Sequence, residues 1–290
     1  MSKSEKSLVM KVGEFKMHLD HLKRGISGVL WGQGYREPCF MWIVNKEAYG
    51  KVGIDIGANL GYVTLYMCKN LKKVIAIEPD KRCRKLLKKN LEENGFRKNV
   101  KIKKFAISDS CGEEVIYLAK KNPNLNSLCN GKKLLKKKDL LGKKTIKTQT
   151  IDSLNESPEF IKMDIEGYEV EAIMGGIETF KRVDKCKILI EVHPQYYDKE
   201  RDFSVVLKTL FDIGFRVKYV VSAGCECPDL FKERGYSPFK VMKDGGRKRG
   251  IFRGVSFEDA VDFCSFQHIQ KSGDDVSMKI ARAILLVKGN

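Results

Sequence analysis

The sequence predicts an α/β fold with a doubly wound, mostly parallel sheet. The first observation is an alternation, from Val52 to Val221, of short apolar runs rich in Val and Ile with longer helical patterns. Such alternation is typical of parallel strands joined by helices that cover both faces of the sheet. The second observation is a glycine-containing turn between the first apolar run and the first helical segment. Right-handed crossovers place the carboxyl ends of the strands, and therefore a ligand, at one edge of the sheet.

The alternating region contains six predicted strands and four predicted helices. The strands are residues 52–56, 73–78, 100–105, 160–163, 187–192 and 216–221, and the helices are residues 61–70, 80–94, 168–180 and 204–213. Short strands at 114–118 and 145–149 enclose a Lys-rich excursion, 122–144, that Asn, Pro and Gly interrupt. The last predicted elements are a helix at 257–267 and an apolar strand at 281–287.

These elements divide the chain into a core with flanking segments. Residues 1–50 combine a helix-like segment, 7–24, with a Gly-rich aromatic stretch, and we expect an N-terminal helical cap. Residues 51–221 form the cofactor-binding core, and residues 222–279 form an insertion or cap near the substrate mouth. Residues 280–290 supply the final core strand.

The glycine turn lies in the segment VGIDIGANLGYVTLYM, which contains Asp55, Gly57, Asn59 and Gly61. A strand that delivers glycines into a helix brings bare backbone close to a ligand. Phosphate-binding loops end in Gly-Lys-Ser/Thr and dinucleotide fingerprints have the pattern GxGxxG, and neither pattern is present here. The acidic Asp55 precedes the turn, where it can face a cationic group.

The next predicted strand ends in Glu78, about 20 residues beyond the glycine turn. An acid at that place and distance is typical of an acceptor for two ribose hydroxyls. A glycine turn alone is more often a tight turn without a ligand. Together with Glu78 it predicts a site for a nucleoside-containing cofactor.

A second group of polar residues follows two later strands. Asp164 and Glu166 come after strand 160–163, while Glu191 and His193 come at the end of strand 187–192. Carboxylates at this edge of a parallel sheet point into the ligand crevice. Alternatively, Asp164 or Glu166 can simply stabilise the N-terminus of the helix predicted to follow them. A His near a carboxylate can remove a proton from a hydroxyl. The alternative role of His193 is structural, as a hydrogen-bonded side chain before Pro194.

The formal net charge of +18 raises the question of nucleic-acid binding. Much of the excess positive charge lies in Lys runs between Gly131 and Lys147, and such runs are usually solvated. Aromatic residues, which would stack on the bases of a single strand, are not interleaved among these lysines. Nucleic acid is therefore the lesser substrate hypothesis. Attraction to anionic membranes or anionic glycans is equally compatible with the charge.

Composition favours a cytoplasmic protein. No apolar run approaches the roughly 18 residues that a membrane span needs, and the first 15 residues lack the apolar stretch of a secretory signal. Nine cysteines cannot all pair, and most lie within predicted helices or strands, which fits a reducing compartment. Zinc binding by Cys225, Cys227, Cys264 and His268 is a weaker hypothesis, because C-x-C is a less usual metal spacing than C-x-x-C.

Six motifs, DIGANLGYVTLY, IEPD, AISD, TIDSL, KMDIEGYEVEAIMGG and IEVHP, resemble the FkbM-type family of S-adenosylmethionine-dependent methyltransferases, in the family's order. The resemblance covers roughly residues 50–194. It implies a Rossmann-like class I methyltransferase fold, with a seven-stranded sheet whose last strand is antiparallel. It implies Asp55, Gly57, Asn59 and Gly61 around the methionine part of S-adenosylmethionine and Glu78 at the ribose. Ser108 and Asp109 are implied near adenine, and Asp164 near the methyl group.

The function that follows is O-methylation of a hydroxyl on a sugar, glycolipid or natural-product-like small molecule. Asp164, His193 and Glu191 are the candidate bases, and a divalent cation held by the acids at this edge is an alternative way to activate the hydroxyl. One rival is a nucleic-acid ribose 2′-O-methyltransferase, although Lys162 alone does not reproduce a Lys-Asp-Lys-Glu tetrad. The other is a non-catalytic module that binds S-adenosylmethionine.

Overall fold

The computed structural model describes residues 7–119, 128, 140–268 and 280–289. Its strands are β1 (Ser7–Val12), β2 (Phe15–Asp20), β3 (Gly50–Ile56), β4 (Leu71–Ile77), β5 (Val100–Lys103), β6 (Ala106–Ile107), β7 (Gly112–Ala119), β8 (Leu140–Gln149), β9 (Phe160–Met163), β10 (Cys186–Glu191), β11 (Arg216–Ser222), β12 (Lys240–Asp244), β13 (Arg247–Phe252) and β14 (Ala281–Lys288). Its α-helices are α1 (Ile26–Gln33), α2 (Pro38–Glu47), α3 (Tyr62–Met67), α4 (Lys81–Glu93), α5 (Glu169–Met174), α6 (Ile177–Arg182), α7 (Phe203–Asp212), α8 (Asp229–Glu233) and α9 (Phe257–Phe263). Short 3₁₀ turns occupy Arg97–Asn99, Asp152–Leu154, Pro194–Tyr196 and Phe266–His268.

The main sheet has the spatial order β12-β13-β11-β14-β10-β9-β3-β4-β5. Strands β3, β4, β5, β9 and β10 pair in parallel, whereas β14 is antiparallel to both β10 and β11. The α/β fold and the antiparallel last strand are therefore confirmed. The seven predicted strands are extended by the hairpin β12–β13, so the described sheet has nine strands.

Hydrophobic residues of the sheet pack against layers on both faces. Ile188 and Ile190 of β10 belong to one buried cluster, and Leu189 between them belongs to the other. Successive side chains of a strand point to opposite faces, so a strand buried on both sides needs an unbroken apolar run. This requirement explains the continuous sequence ILI within β10.

The helix predicted for residues 7–24 is wrong, because this segment is the hairpin β1–β2. The side chains of Phe15, Met17 and Leu19 are buried while those between them are more exposed, which is the period of a strand. The hairpin packs on α4, where Asn90 donates to the His18 carbonyl and accepts from its amide. The described part of the N-terminal segment, residues 7–50, therefore contributes a hairpin and the helices α1 and α2.

The single helix predicted for residues 168–180 is also wrong, since α5 and α6 are separated at Gly175 and Gly176. A Cβ at Gly175 would lie 2.1 Å from the carbonyl oxygen of Ser108. The glycine therefore allows the chain to pass close to the backbone of Ser108, directly after β6.

Strands β6, β8 and β7 form a separate three-stranded sheet in that order. The strand predicted at 145–149 begins earlier, at Leu140. Most of the Lys-rich excursion, 122–144, lies outside the described residues. Within 222–279, the hairpin β12–β13 joins the main sheet, so this part extends the core as well as flanking it. In the described ranges, no helix has both the length and the apolar character for crossing a membrane.

Candidate active site

A cavity opens at the carboxyl ends of β3, β4 and β9, the edge at which the parallel topology places ligands. The turn after β3 forms one wall and the end of β4 another. Residues from α1, α2 and the small sheet complete the lining. The N-terminal segment and the core therefore both contribute to the cavity.

The glycine turn after β3 has the backbone geometry that its composition predicts. Gly57 has φ of 78°, and a Cβ there would lie 2.0 Å from the carbonyl oxygen of Asp164. Gly61 has φ of 91°, and its Cβ would meet the Leu87 side chain at 2.6 Å. Asn59 adopts the left-handed region as well, with φ of 50°. The turn can therefore approach β9 and α4 only because two of its residues lack side chains.

Glu78 follows β4 and lines the same cavity. Its Oε2 accepts a hydrogen bond from the Asn59 amide at 2.8 Å, and its Oε1 accepts one from the Asp80 amide at 2.7 Å. Burial raises the pKa of Glu78 to about 7. A carboxylate has about four acceptor positions, so two remain for hydroxyl donors. The structure thus joins the glycine turn and Glu78, which the sequence predicted to act together.

Asp55 lies beneath the turn and is not among the residues that line the cavity. Its Oδ1 is 3.1 Å from Nζ of Lys162, and its Oδ2 accepts from the Thr64 hydroxyl at 2.6 Å. Lys162 also donates to the Gly57 carbonyl at 2.7 Å. Lys162 of the protein itself is therefore one cationic group that faces Asp55. A contact between Asp55 and a cofactor stays a prediction.

The second constellation is organised around His193, whose side chain is only 3% exposed. Its Nδ1 lies 2.7 Å from Oε1 of Glu169, and its Nε2 lies 3.3 Å from Oε1 of Glu191. The same Nε2 lies 3.6 Å from Glu166 and 4.0 Å from Asp164. Sequence reasoning predicted three of these four acids and missed Glu169. The signal for Glu169 was available, because it begins α5 directly after the glycine turn at Gly167.

Within this group, Asp164 and Glu166 line the cavity, whereas His193 and Glu191 lie behind them. Burial and the neighbouring Glu191 raise the pKa of Asp164. Burial raises the pKa of Glu166 to about 7. Burial also opposes ionisation of Glu169, but His193 outweighs it and holds the pKa of Glu169 below its ordinary value. The cavity wall therefore carries two carboxyl groups that protonate more readily than ordinary acids.

Arginines connect this acidic group to the N-terminal segment. Arg282 of β14 lies 2.8 Å from Oε1 of Glu191 and also contacts Glu37. Arg36 lies 2.8 Å from the same Glu37. Sequence reasoning missed Arg36, Glu37 and Arg282, because no local motif links residues so far apart in the chain.

Residues 55–217 match the family described as Methyltransferase FkbM domain, which is more than half of the chain. The chain belongs to the FkbM methyltransferase family. Its domain is an S-adenosylmethionine-dependent methyltransferase domain with a Rossmann-like fold, and S-adenosylmethionine is its cofactor.

Several solved structures resemble this FkbM chain. The methyltransferase FkbM from Methylobacillus flagellatus KT is 17% identical, over 59% of this chain and 40% of that one, with a TM-score of 0.41. The tRNA m1G37 methyltransferase of M. jannaschii is 13% identical, over 100% of this chain and 56% of that one, with a TM-score of 0.42. M. jannaschii TYW2, solved with AdoMet, is 14% identical over 87% and 89% of the two chains, with a TM-score of 0.38. A comparison with curated proteins found no match.

The cavity of the FkbM domain fits the cofactor that the family uses. Glu78 retains acceptor positions for ribose hydroxyls, and Gly57 and Asn59 of the turn line the cavity beside it. Apolar side chains that suit a planar base also line the cavity, among them Pro79, Ile107 and Ile116. That Glu78 holds the ribose and the turn holds the methionine part stays a prediction.

Ser108 and Asp109 lie just beyond the cavity wall of the FkbM domain. Ala106 and Ile107 line the cavity, whereas Ser108 is buried beside it and Asp109 is exposed. The Ser108 hydroxyl lies 3.1 Å from a carboxylate oxygen of Asp109. Contact of either residue with adenine stays a prediction.

Asp164, Glu191 and His193 could also hold a metal ion, because one ligand atom from each lies within 4.8 Å of the others. However, Arg282 already supplies a positive charge to Glu191 at 2.8 Å. Cys227 and Cys264 are buried in a hydrophobic cluster and Cys225 is exposed, and these cysteines form no metal-ligating group among the described side chains. The side chain of His268 lies outside the described residues.

Proposed function

We propose that the protein is an S-adenosylmethionine-dependent O-methyltransferase that acts on a hydroxyl of a sugar, glycolipid or natural-product-like small molecule. The observation that carries this proposal is the pair of cavity-lining carboxyl groups, Asp164 and Glu166, with His193 directly behind them. An alcohol must lose a proton as its oxygen is methylated, and this pair can accept that proton.

S-adenosylmethionine, when bound, supplies a methyl group that is already activated on a sulfonium. The chain therefore has to align the acceptor oxygen, exclude water and remove the proton. Burial raises the pKa of Glu166 to about 7, close to the value that suits a general base at neutral pH. Asp164 and Glu166 are the proposed catalytic residues, because they reach the cavity.

His193 and Glu191 act through these two carboxylates in this proposal. Oε1 of Glu169 lies within hydrogen-bond distance of Nδ1 of His193, so the opposite ring nitrogen, Nε2, faces Glu191, Asp164 and Glu166. A ring held in this way can stabilise the ionised carboxylates or pass their proton onward. His193 is therefore a proposed positioning residue rather than the group that first receives the proton.

The proposed division of labour along the chain follows the cavity lining. We place cofactor binding within residues 51–221 and choice of acceptor in residues 1–50 and 222–279. Arg36, Glu37, Phe40 and Met41 line the cavity from the N-terminal segment, which supports its part in acceptor choice.

The test is transfer of labelled methyl from S-adenosylmethionine into a host lysate, followed by separation into lipid, glycan, nucleic-acid, protein and small-molecule fractions. Glu78→Ala is the control for cofactor dependence. We expect label that this control abolishes in the glycan, lipid or small-molecule fraction. Nuclease-sensitive label would instead support the nucleic-acid alternative that the net charge of +18 suggests. Cofactor binding with no label in any fraction would support the non-catalytic alternative.

A further inference from the structure

A second, open groove adjoins the cavity between α1 and the hairpin β12–β13. Arg36 and Glu37 line both the cavity and the groove. The other charged residues of the groove are Asp244, Arg247, Arg249 and Arg282. Four arginines thus face two acids, and the groove is net positive beside an acidic cavity wall.

Most of these arginines already contact an acid, but Arg247 does not. Arg249 pairs with Asp244, while Arg36 and Arg282 share Glu37. Arg247 is exposed, and in the described part of the chain no acidic side chain lies within ion-pair distance of it. Its guanidinium can therefore receive an anion from solution without first breaking an ion pair.

The hairpin that carries Arg247 is a regular element. Its two strands are joined by Gly245 and Gly246, and Gly245 has φ of 61°, as tight two-residue hairpin turns require. The Gly250 amide donates to the Ser222 hydroxyl at 2.8 Å, which ties β13 to β11. The Cys39 thiol lies 3.5 Å from the Arg249 carbonyl and ties β13 to α2. Arg247 and Arg249, two residues apart, lie on one face of β13, and Lys248 lies on the other.

We propose that this groove binds an anionic group, a phosphate or a carboxylate, of the acceptor molecule whose hydroxyl enters the adjoining cavity. The inference rests on the proposed O-methyltransferase function and deepens it by naming the acceptor's charge. Guanidinium groups match phosphate and carboxylate oxygens in a two-point geometry. Because Arg36 and Glu37 border both spaces, one small molecule can occupy the groove and the cavity together.

The ion pairs within the groove favour a single anionic group over a polyanion. Arg36, Arg249 and Arg282 already pair with Glu37 or Asp244, so among the described groove residues Arg247 alone has no acidic partner, and successive phosphates of a nucleic acid would find one such cation. A sugar phosphate or a uronic acid carries one such group and can place it at Arg247. The groove therefore favours an anionic small molecule or glycan.

The first measurement is calorimetric binding of inorganic phosphate and of glucuronate to the protein saturated with S-adenosylhomocysteine. Arg247→Gln and Lys248→Gln form a matched pair, because both remove one charge from the same strand on opposite faces. We expect Arg247→Gln to weaken binding of at least one anion about tenfold, as loss of one charge-assisted contact does, and Lys248→Gln to leave it within about twofold. No binding of either anion to the wild-type protein, or equal losses in both variants, would overturn the proposal.

The second measurement analyses the methylated product by anion exchange after labelling in lysate. Retention that phosphatase removes identifies a phosphate, and retention that carboxyl esterification removes identifies a carboxylate. A product that is not retained, or is nuclease-sensitive, would refute the inference. If the protein transfers no labelled methyl to any lysate fraction but still binds the anion, the O-methyltransferase function is refuted while the anion site remains. The two failures are therefore distinguishable.

Discussion

The carboxylate of Glu169 lies 2.7 Å from Nδ1 of His193, and both side chains are buried. The Tyr197 hydroxyl donates to the other oxygen of Glu169 at 2.8 Å, and the Gly167 amide donates to the first at 3.1 Å. Glu169 is thus fixed by the turn before α5 and by the segment after β10. The imidazole is held with Nε2 toward the acids that face the cavity.

Replacement of Glu169 by Gln should lower turnover and change its pH dependence while sparing cofactor affinity. The amide cannot stabilise a protonated His193 as a carboxylate does. We expect kcat to fall about 10- to 100-fold, less than the roughly 10²- to 10⁴-fold contribution of a general base, because Glu169 acts through His193. Steady-state kinetics between pH 6 and pH 9 and calorimetry with S-adenosylmethionine measure the two effects. Glu178→Gln, on the exposed face of α6, is the control. An unchanged pH profile would exclude the proposed role of Glu169.

Replacement of Glu78 by Gln should weaken binding of S-adenosylmethionine. In the wild type, the Asn59 and Asp80 amides both donate to the Glu78 carboxylate. Gln keeps one acceptor oxygen, but its NH₂ group would face one of these two donors. Loss of a hydrogen bond to a charged group costs about 1.5–3 kcal/mol, and each 1.4 kcal/mol is a tenfold change in Kd. Calorimetry tests this expectation, with Glu92→Gln on the exposed face of α4 as the control. Equal affinity in wild type and Glu78→Gln would contradict it.

The stability of the protein should decrease as pH rises from about 4.5 to about 7. Burial raises the pKa of Glu166 from 4.5 to about 7, so the folded state binds more protons than the unfolded state between these values. The contribution of Glu166 to the free energy of unfolding is fully present at pH values below its pKa in the unfolded state. It is lost as pH rises through its pKa in the folded state. Urea unfolding at pH 5 and pH 8 should therefore give a smaller pH effect for Glu166→Gln, by about 1–3 kcal/mol. The same slope in both proteins would contradict this expectation.

Removal of the Lys162 charge should destabilise the fold strongly. Lys162→Met leaves the buried Asp55 without the cation that lies 3.1 Å from it, and breaking a buried pair costs about 3–5 kcal/mol. The double variant with Asp55→Asn should recover part of this loss, because no unpaired charge remains. Urea unfolding of both variants measures the difference. Lys69→Met, which breaks the exposed pair with Glu14, should cost at most about 1 kcal/mol.

Two elements show where local pattern was misleading. The residues that form β1 and β2 contain charged and apolar side chains in an order that also suits a helix. Antiparallel pairing between the two segments stabilises the hairpin instead. The stretch after Asp164 has helical periodicity throughout, but Gly175 must pass close to the Ser108 carbonyl, and the helix is interrupted there. In the first case pairing with the adjacent strand, and in the second a contact from elsewhere in the chain, outweighed helix propensity.

Local sequence pattern was sufficient for seven of the nine main-sheet strands, the glycine turn at Gly57 and the place of Glu78, because strand period and left-handed glycine turns depend on neighbouring residues. It also indicated that Asp164, Glu191 and His193 share an edge, since parallel strands end together. The pairing of Asp55 with Lys162 and the contact of Glu169 with His193 became visible only in the folded chain, because each joins residues from different elements. The arginine groove likewise required the fold, because α1, the hairpin β12–β13 and β14 meet there from three distant parts of the chain.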